Sequence, residues 1–146
     1  MSDKTHRFYR VKLVQEGRPA YSAPIVTPTD AATFFQKQIG QNVQESFLAL
    51  FLNVRNVPLG WREISRGSVS ASLVHPREVF LPAVQLAASS LIVAHNHPSG
   101  DPSPSSDDIE LTRRLQRAGE LLGIEVLDHL IITATDHLSM KERGLL

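Results

Sequence analysis

Residues 44–54, QESFLALFLNV, are apolar on both parities: Phe47, Ala49 and Phe51 on one, Leu48, Leu50 and Leu52 on the other. Side chains alternate sides along a strand, so the segment predicts a strand covered on both faces, in the middle of a sheet. Residues 56–60 predict a turn and residues 61–70 a strand paired with the central one. Residues 90–97 give a further strand. In residues 107–122 the period changes: Leu111, Leu115, Ala118 and Leu122 share a helical face and Gly123 follows as a stop, which predicts an amphipathic helix. Residues 124–132 read as a last strand followed by a short tail.

Two more helices have local start signals. Thr27-Pro28-Thr29-Asp30 opens one that runs to about Ile39 and stops at Gly40. His75-Pro76-Arg77-Glu78 opens another to about Ala88, with Pro82 bending or restarting it. Upstream, residues 8–14 and 21–26 predict two strands around Glu16-Gly17-Arg18-Pro19. Strands and helices alternate over most of the chain, so the expected fold class is α/β, a mixed β-sheet flanked by helices. No internal repeat or low-complexity linker interrupts it, and residues 1–146 are expected to form one domain, with a hairpin and helix in 1–41 and the core in 42–146.

Composition narrows the functions. The 146 residues are 42% hydrophobic and 21% charged, with 15 basic and 15 acidic side chains. A nucleic-acid partner usually demands a basic excess, and none is present. The absence of cysteine excludes disulfides, thiolate zinc sites and cysteine nucleophiles. MSDKTHRFYR lacks a signal-peptide core, and no apolar run approaches the ~20 residues of a membrane span, so the expected location is cytoplasmic.

The stretch LIVAHNHPSGDPSPSSDDIEL, residues 91–111, concentrates the chemistry. His95 and His97 lie two apart at a strand end, so their imidazoles point the same way and can reach one metal ion. Pro98 keeps His97 extended. On spacing alone, two polar residues finishing a strand would be an adequate account. The loop that follows argues for more. Gly100 permits a turn, and Pro98, Pro102 and Pro104 stiffen the path, lowering the entropy lost on ordering it. Ser105 and Asp108 then have the spacing of a capping box at a helix start. A carboxylate in that first turn would complete a His-His-Asp set with a fourth position for water. Asp101, Asp107 and Asp108 all satisfy the spacing.

His95, His97, Ser105 and Asp108 match H-x-H, seven residues, S-x-x-D, so the chain resembles the JAMM (MPN+) metalloproteases. SLVHPREVF, LIVAHNHPSGDPSPS, TRRL and GIEVLDHLII narrow the resemblance to the RadC family over most of residues 42–146. The resemblance implies a cytidine-deaminase-like α/β sandwich. It implies His95, His97 and Asp108 as zinc (Zn2+) ligands, Ser105 as an orienting or stabilising hydroxyl, and Glu45 as the acid/base carboxylate. Two departures stand out: about forty residues replace the family's helix-hairpin-helix region, and Ser70 stands where Asn or Asp is usual. His75 is expected at a helix start, His129, beside Asp128 on a strand, in a structural role or one behind the site rather than as a ligand, and Arg113, Arg114 and Arg117 on a solvated helix face. His6 and His137 carry no signal.

The implied activity is zinc-dependent hydrolysis of a peptide or isopeptide bond in a protein substrate. The alternative is a DNA-repair-associated accessory or binding module with a structural or vestigial metal, which the neutral charge balance disfavours. A zinc deaminase would need cysteine ligands the chain lacks. The letters His95-Asn96-His97 do not make an HNH nuclease, whose named residues are dispersed.

Overall fold

Residues 7, 9–15, 17, 23–70 and 73–146 are described by the computed structural model. In chain order the elements are α1 (Pro28–Ile39), β1 (Ser46–Leu52), β2 (Pro58–Arg66), α2 (Pro76–Gln85), β3 (Ser90–Asn96), α3 (Ser106–Leu122), β4 (Glu125–Ile132) and β5 (His137–Ser139). They build one five-stranded sheet in the order β2-β1-β3-β4-β5. β3 and β4 are parallel and joined through α3, while β1–β2, β1–β3 and β4–β5 are antiparallel. The fold is therefore α/β with a mixed sheet, as its alternating pattern implies.

Every residue of β1 is buried, because both of its parities meet a helix layer. Phe47, Ala49 and Phe51 pack with Val79, Phe80 and Ala83 of α2 and Leu111 and Leu115 of α3. Leu48, Leu50 and Leu52 pack with Ala31, Ala32, Phe34, Phe35 and Ile39 of α1. Thr27 and Asp30 close a capping box at the start of α1. Gly40 ends that helix in right-handed conformation, at φ −58°, so its left-handed freedom is not what stops it. At α2, His75 Nδ1 accepts the Arg77 N–H at 3.2 Å, and Pro82 is carried inside the helix. Among the described residues, no helix is long and apolar enough to cross a membrane.

Several boundaries differ from the pattern-based reading. The described part of the expected N-terminal hairpin, residues 9–15 and 23–26, carries no strand; Phe8 and residues 18–22 lie outside the described residues. Tyr9, Val11 and Leu13 are exposed, so their alternation meets no sheet to pair with. β2 starts at Pro58, inside the expected turn, and ends at Arg66. α2 ends at Gln85 rather than near Ala88. The tail contains β5, tied down by Asp128, whose carboxylate accepts from Ser139 Oγ at 2.5 Å and Lys141 N–H at 3.1 Å. Leu122 is exposed and Gly119 buried, because α3 turns its last residues away from the sheet.

Two backbone details fix the layer that carries the site. The β3–β4 register slips between Leu91 and Ile92: Leu91 pairs with Val126 but Ile92 with Asp128. Leu127 is thus an extra residue, a β-bulge that reverses parity downstream, and His129 faces α3 instead of α1. After Gly123, in left-handed conformation at φ 68°, the chain folds back so tightly that a Cβ on Gly119 would lie 2.3 Å from the Ile124 carbonyl oxygen. Gly119→Ala should therefore destabilise the protein by about 2 kcal/mol or more, despite alanine's helix advantage of about 1 kcal/mol. Urea unfolding of the two proteins would check this, and equal midpoints would refute the close approach.

Candidate metal centre

The site forms where the end of β3 meets the start of α3. β3 delivers His95, and the His97 N–H continues the ladder by donating to the Ile132 carbonyl at 2.8 Å. The connection then turns at Gly100, at φ 87°, and Asp101 Oδ1 accepts the Ser103 N–H at 2.9 Å. At the helix start, Ser105 Oγ accepts the Asp108 N–H at 3.1 Å and Asp108 Oδ2 accepts the Ser105 N–H at 2.8 Å. This reciprocal pair fixes the Asp108 carboxylate in the first turn, where the positive end of the helix favours it.

Fixed there, Asp108 meets both histidines. His95 Nε2 lies 3.1 Å from Asp108 Oδ1, and His97 Nε2 lies 3.4 Å from Asp108 Oδ2. The two Nε2 atoms are 2.9 Å apart. Asp101 and Asp107 are exposed, and neither joins His95, His97 and Asp108 in the cluster. Asp101 contributes its backbone instead: its carbonyl lies 2.8 Å from His97 Nδ1. A carbonyl only accepts, so Nδ1 of His97 carries the proton.

The electrostatics follow from this packing. The hydrogen bond to Asp108 raises the pKa of His97 above its ordinary value, against the effect of burial. For Asp108, burial alone would raise the carboxyl; the adjacent His95 and His97 and the Ser105 N–H outweigh it and hold the group well below the carboxylate range. His129 is pushed well below its ordinary value, chiefly by complete burial. His95 and Asp108 side chains are 0% and 4% exposed, but His97 is 14% exposed. Solvent reaches the cluster past His97.

The donor set suits a metal ion. A tetrahedral zinc bound at ~2.0–2.1 Å places its donor atoms roughly 3.3 Å apart, and the three observed separations bracket that value. His95, His97 and Asp108 can therefore hold an ion.

Glu45 directly precedes β1. Phe47 pairs with His95, and continuing that antiparallel register by two residues sets Glu45 opposite His97. Its Oε2 accepts the Val69 N–H at 3.0 Å, and its carbonyl accepts the Gly67 N–H at 2.7 Å. It is half-buried, and its negative charge is among the influences that raise His97. Ser105 is exposed; as an acceptor in the capping box it keeps its own O–H proton for another partner. Arg113 and Arg117 are exposed on the outer side of α3.

Asn96, between the two histidines, was not apparent as a functional candidate from motif spacing. It points to the opposite face and is buried, where its Oδ1 accepts the Ser46 N–H at 2.7 Å. Its Nδ2 donates to the carbonyls of Asn42 and Gln44 at 3.2 and 2.9 Å. The backbone on both sides of Glu45 is thus pinned by the residue that separates the two histidines.

A mixed sheet between helix layers, with a His-His-Asp cluster at a strand end, is the arrangement of a JAB-type domain. The chain matches the RadC-like JAB domain family over residues 25–145. It is 49% identical over 120 residues to the UPF0758 protein of Halalkalibacterium halodurans, covering 82% of this chain and 52% of that protein. Its identity to the UPF0758 protein of Clostridium botulinum is 41% over 122 residues, or 84% and 53% of the two chains. The chain belongs to the RadC family. It spans about half the length of the curated relatives it matches.

Two outcomes follow. Asn96→Ala strands a buried N–H and two carbonyls, and should lower stability by about 3 kcal/mol in urea unfolding; a change within error would mean the clamp is dispensable. In the metal-free protein, His97 should titrate above the ordinary ~6.5 by imidazole NMR. Since its folded pKa is raised, the stability it adds is fully present below ~6.5 and lost as pH rises through the folded value.

Proposed function

We propose that the protein is a zinc-dependent hydrolase of the JAMM type that cleaves a peptide or isopeptide bond. The observation that carries this reading is the convergence of His95 Nε2, His97 Nε2 and the Asp108 carboxylate on one point. Three protein ligands with an open fourth position mark catalytic rather than structural zinc sites. When bound, zinc supplies Lewis acidity, drawing the pKa of a water towards ~7 and polarising a carbonyl.

The chain's own groups do the rest. Glu45, opposite His97, takes the proton of the attacking water and returns it to the leaving amine. Ser105 donates its O–H to the oxygen on which negative charge develops. A cleft beside His97, bordered by Asn42, Val43, Pro98, Gly100 and Ala134, gives the scissile bond its approach. Among the described residues, no lysine, arginine or carboxylate lines it, which favours a neutral peptide backbone over a polyanion such as DNA.

Elemental analysis should find one zinc per chain, lost in the His95→Ala, His97→Ala double variant; full occupancy in that variant would overturn the ligand assignment. Glu45→Gln should keep zinc and fold while hydrolysis falls by two or more orders of magnitude, read by mass spectrometry on peptide and isopeptide-linked libraries. Zinc loss instead would make Glu45 a ligand. Ser105→Ala should lose about 1 kcal/mol of stability as a cap and about a hundredfold in turnover. Unchanged turnover would leave it the cap alone.

A further inference from the structure

Behind the cluster lie two buried side chains that touch no solvent and reach no ligand position. His129, on β4, is completely buried, and so is Thr112, on α3. They form one continuous chain with the cluster: His95 Nδ1 to His129 Nε2 at 2.8 Å, His129 Nδ1 to Thr112 Oγ1 at 2.6 Å, and Thr112 Oγ1 to the Asp108 carbonyl at 2.7 Å. We propose that Thr112 and His129 are positioning residues, a directional relay that locks His95 into the one tautomer able to bind a metal through Nε2. This rests on the reading of the cluster as a metal centre.

The direction is forced from one end. The Asp108 carbonyl can only accept, so the Thr112 hydroxyl spends its single proton there. The other neighbour within reach, Met140 Sδ at 3.4 Å, is a weak acceptor and more distant. Having donated, Thr112 Oγ1 can only accept from His129 Nδ1. A neutral imidazole has one N–H, so His129 Nε2 is left as an acceptor, and the proton in its bond with His95 belongs to His95 Nδ1. That empties His95 Nε2, the atom aimed at Asp108 and His97. Phe47, with its ring centroid 6.2 Å from that of His95 and 5.6 Å from that of His129, supplies no competing polar group.

His97 reaches the same state by a shorter route, through the Asp101 carbonyl. The two ligands thus use different devices for one outcome. The relay alone begins and ends on Asp108, at its backbone carbonyl and at its carboxylate. It binds β3, β4 and α3 into a single polar circuit, and it exists because the Leu127 bulge turns His129 to this face.

The test compares Thr112→Val, which keeps shape and removes the hydroxyl, with Thr112→Ser, which keeps the hydroxyl. Zinc affinity is read by competition with a chelating dye. The valine variant should bind zinc 10–100-fold more weakly, the usual effect of losing a partner behind a ligand, and serine should restore affinity to within a few-fold. Equal affinity of the valine variant and the unaltered protein would overturn the relay. Should the valine variant misfold, nitrogen-15 NMR of the unaltered, metal-free protein decides: His95 and His129 should both be protonated at Nδ1. A proton on His95 Nε2 would overturn the proposal. That spectrum answers even if the protein takes up no zinc, an outcome that would sink the hydrolase reading by itself.

Discussion

Two imidazole lone pairs and a carboxylate aimed at one point repel each other unless something positive sits among them. Such an arrangement survives in a buried site only if each group is held from behind, because an uncompensated charge there costs several kcal/mol. The surrounding structure supplies those holds. The Asp101 carbonyl backs His97, His129 backs His95, and the Ser105 N–H backs Asp108. Asp108 accordingly raises the proton affinity of His97. A divalent ion would compete with that proton for the same lone pair.

The capping box of α3 has two duties in this scheme. One carboxylate oxygen of Asp108 closes the box with the Ser105 N–H, and the same carboxylate faces both histidines. Helix initiation and ligand placement are therefore a single local event. The stiff connection before it, with Pro98, Pro102 and Pro104, limits where the helix can start relative to β3. Asn96 adds the third fixed point, since its amide ties the approach to β1 to the strand that bears the histidines.

Much of this was legible in the sequence wherever a period or a motif carries it. β1 shows two apolar parities, α3 shows helical spacing, and His95 and His97 share a strand face. Spacing could not choose among Asp101, Asp107 and Asp108, because a loop with four turn-forming residues can return the chain at several angles. Thr112 is hidden because it sits beside Leu111 in the sequence, and both are buried. β5 is only three residues long and owes its place to Asp128. Leu122 misled because helical periodicity reports a face but not where that face runs out of sheet to cover.

The bulge at Leu127 gives β4 an unusual tolerance of length. Upstream of it, even-numbered positions belong to the α3 layer; downstream, odd-numbered ones do. A chain without residue 127 would join Val126 directly to Asp128, and plain alternation would still set Asp128 opposite Ile92 and His129 opposite Val93. What the two layers would not survive is Leu127 entering the ladder as an ordinary residue, which would swing Asp128 towards His95 and His129 beneath α1. Related chains should thus accept replacement or even loss of residue 127, because leaving it out of the count is what keeps the histidine behind the site.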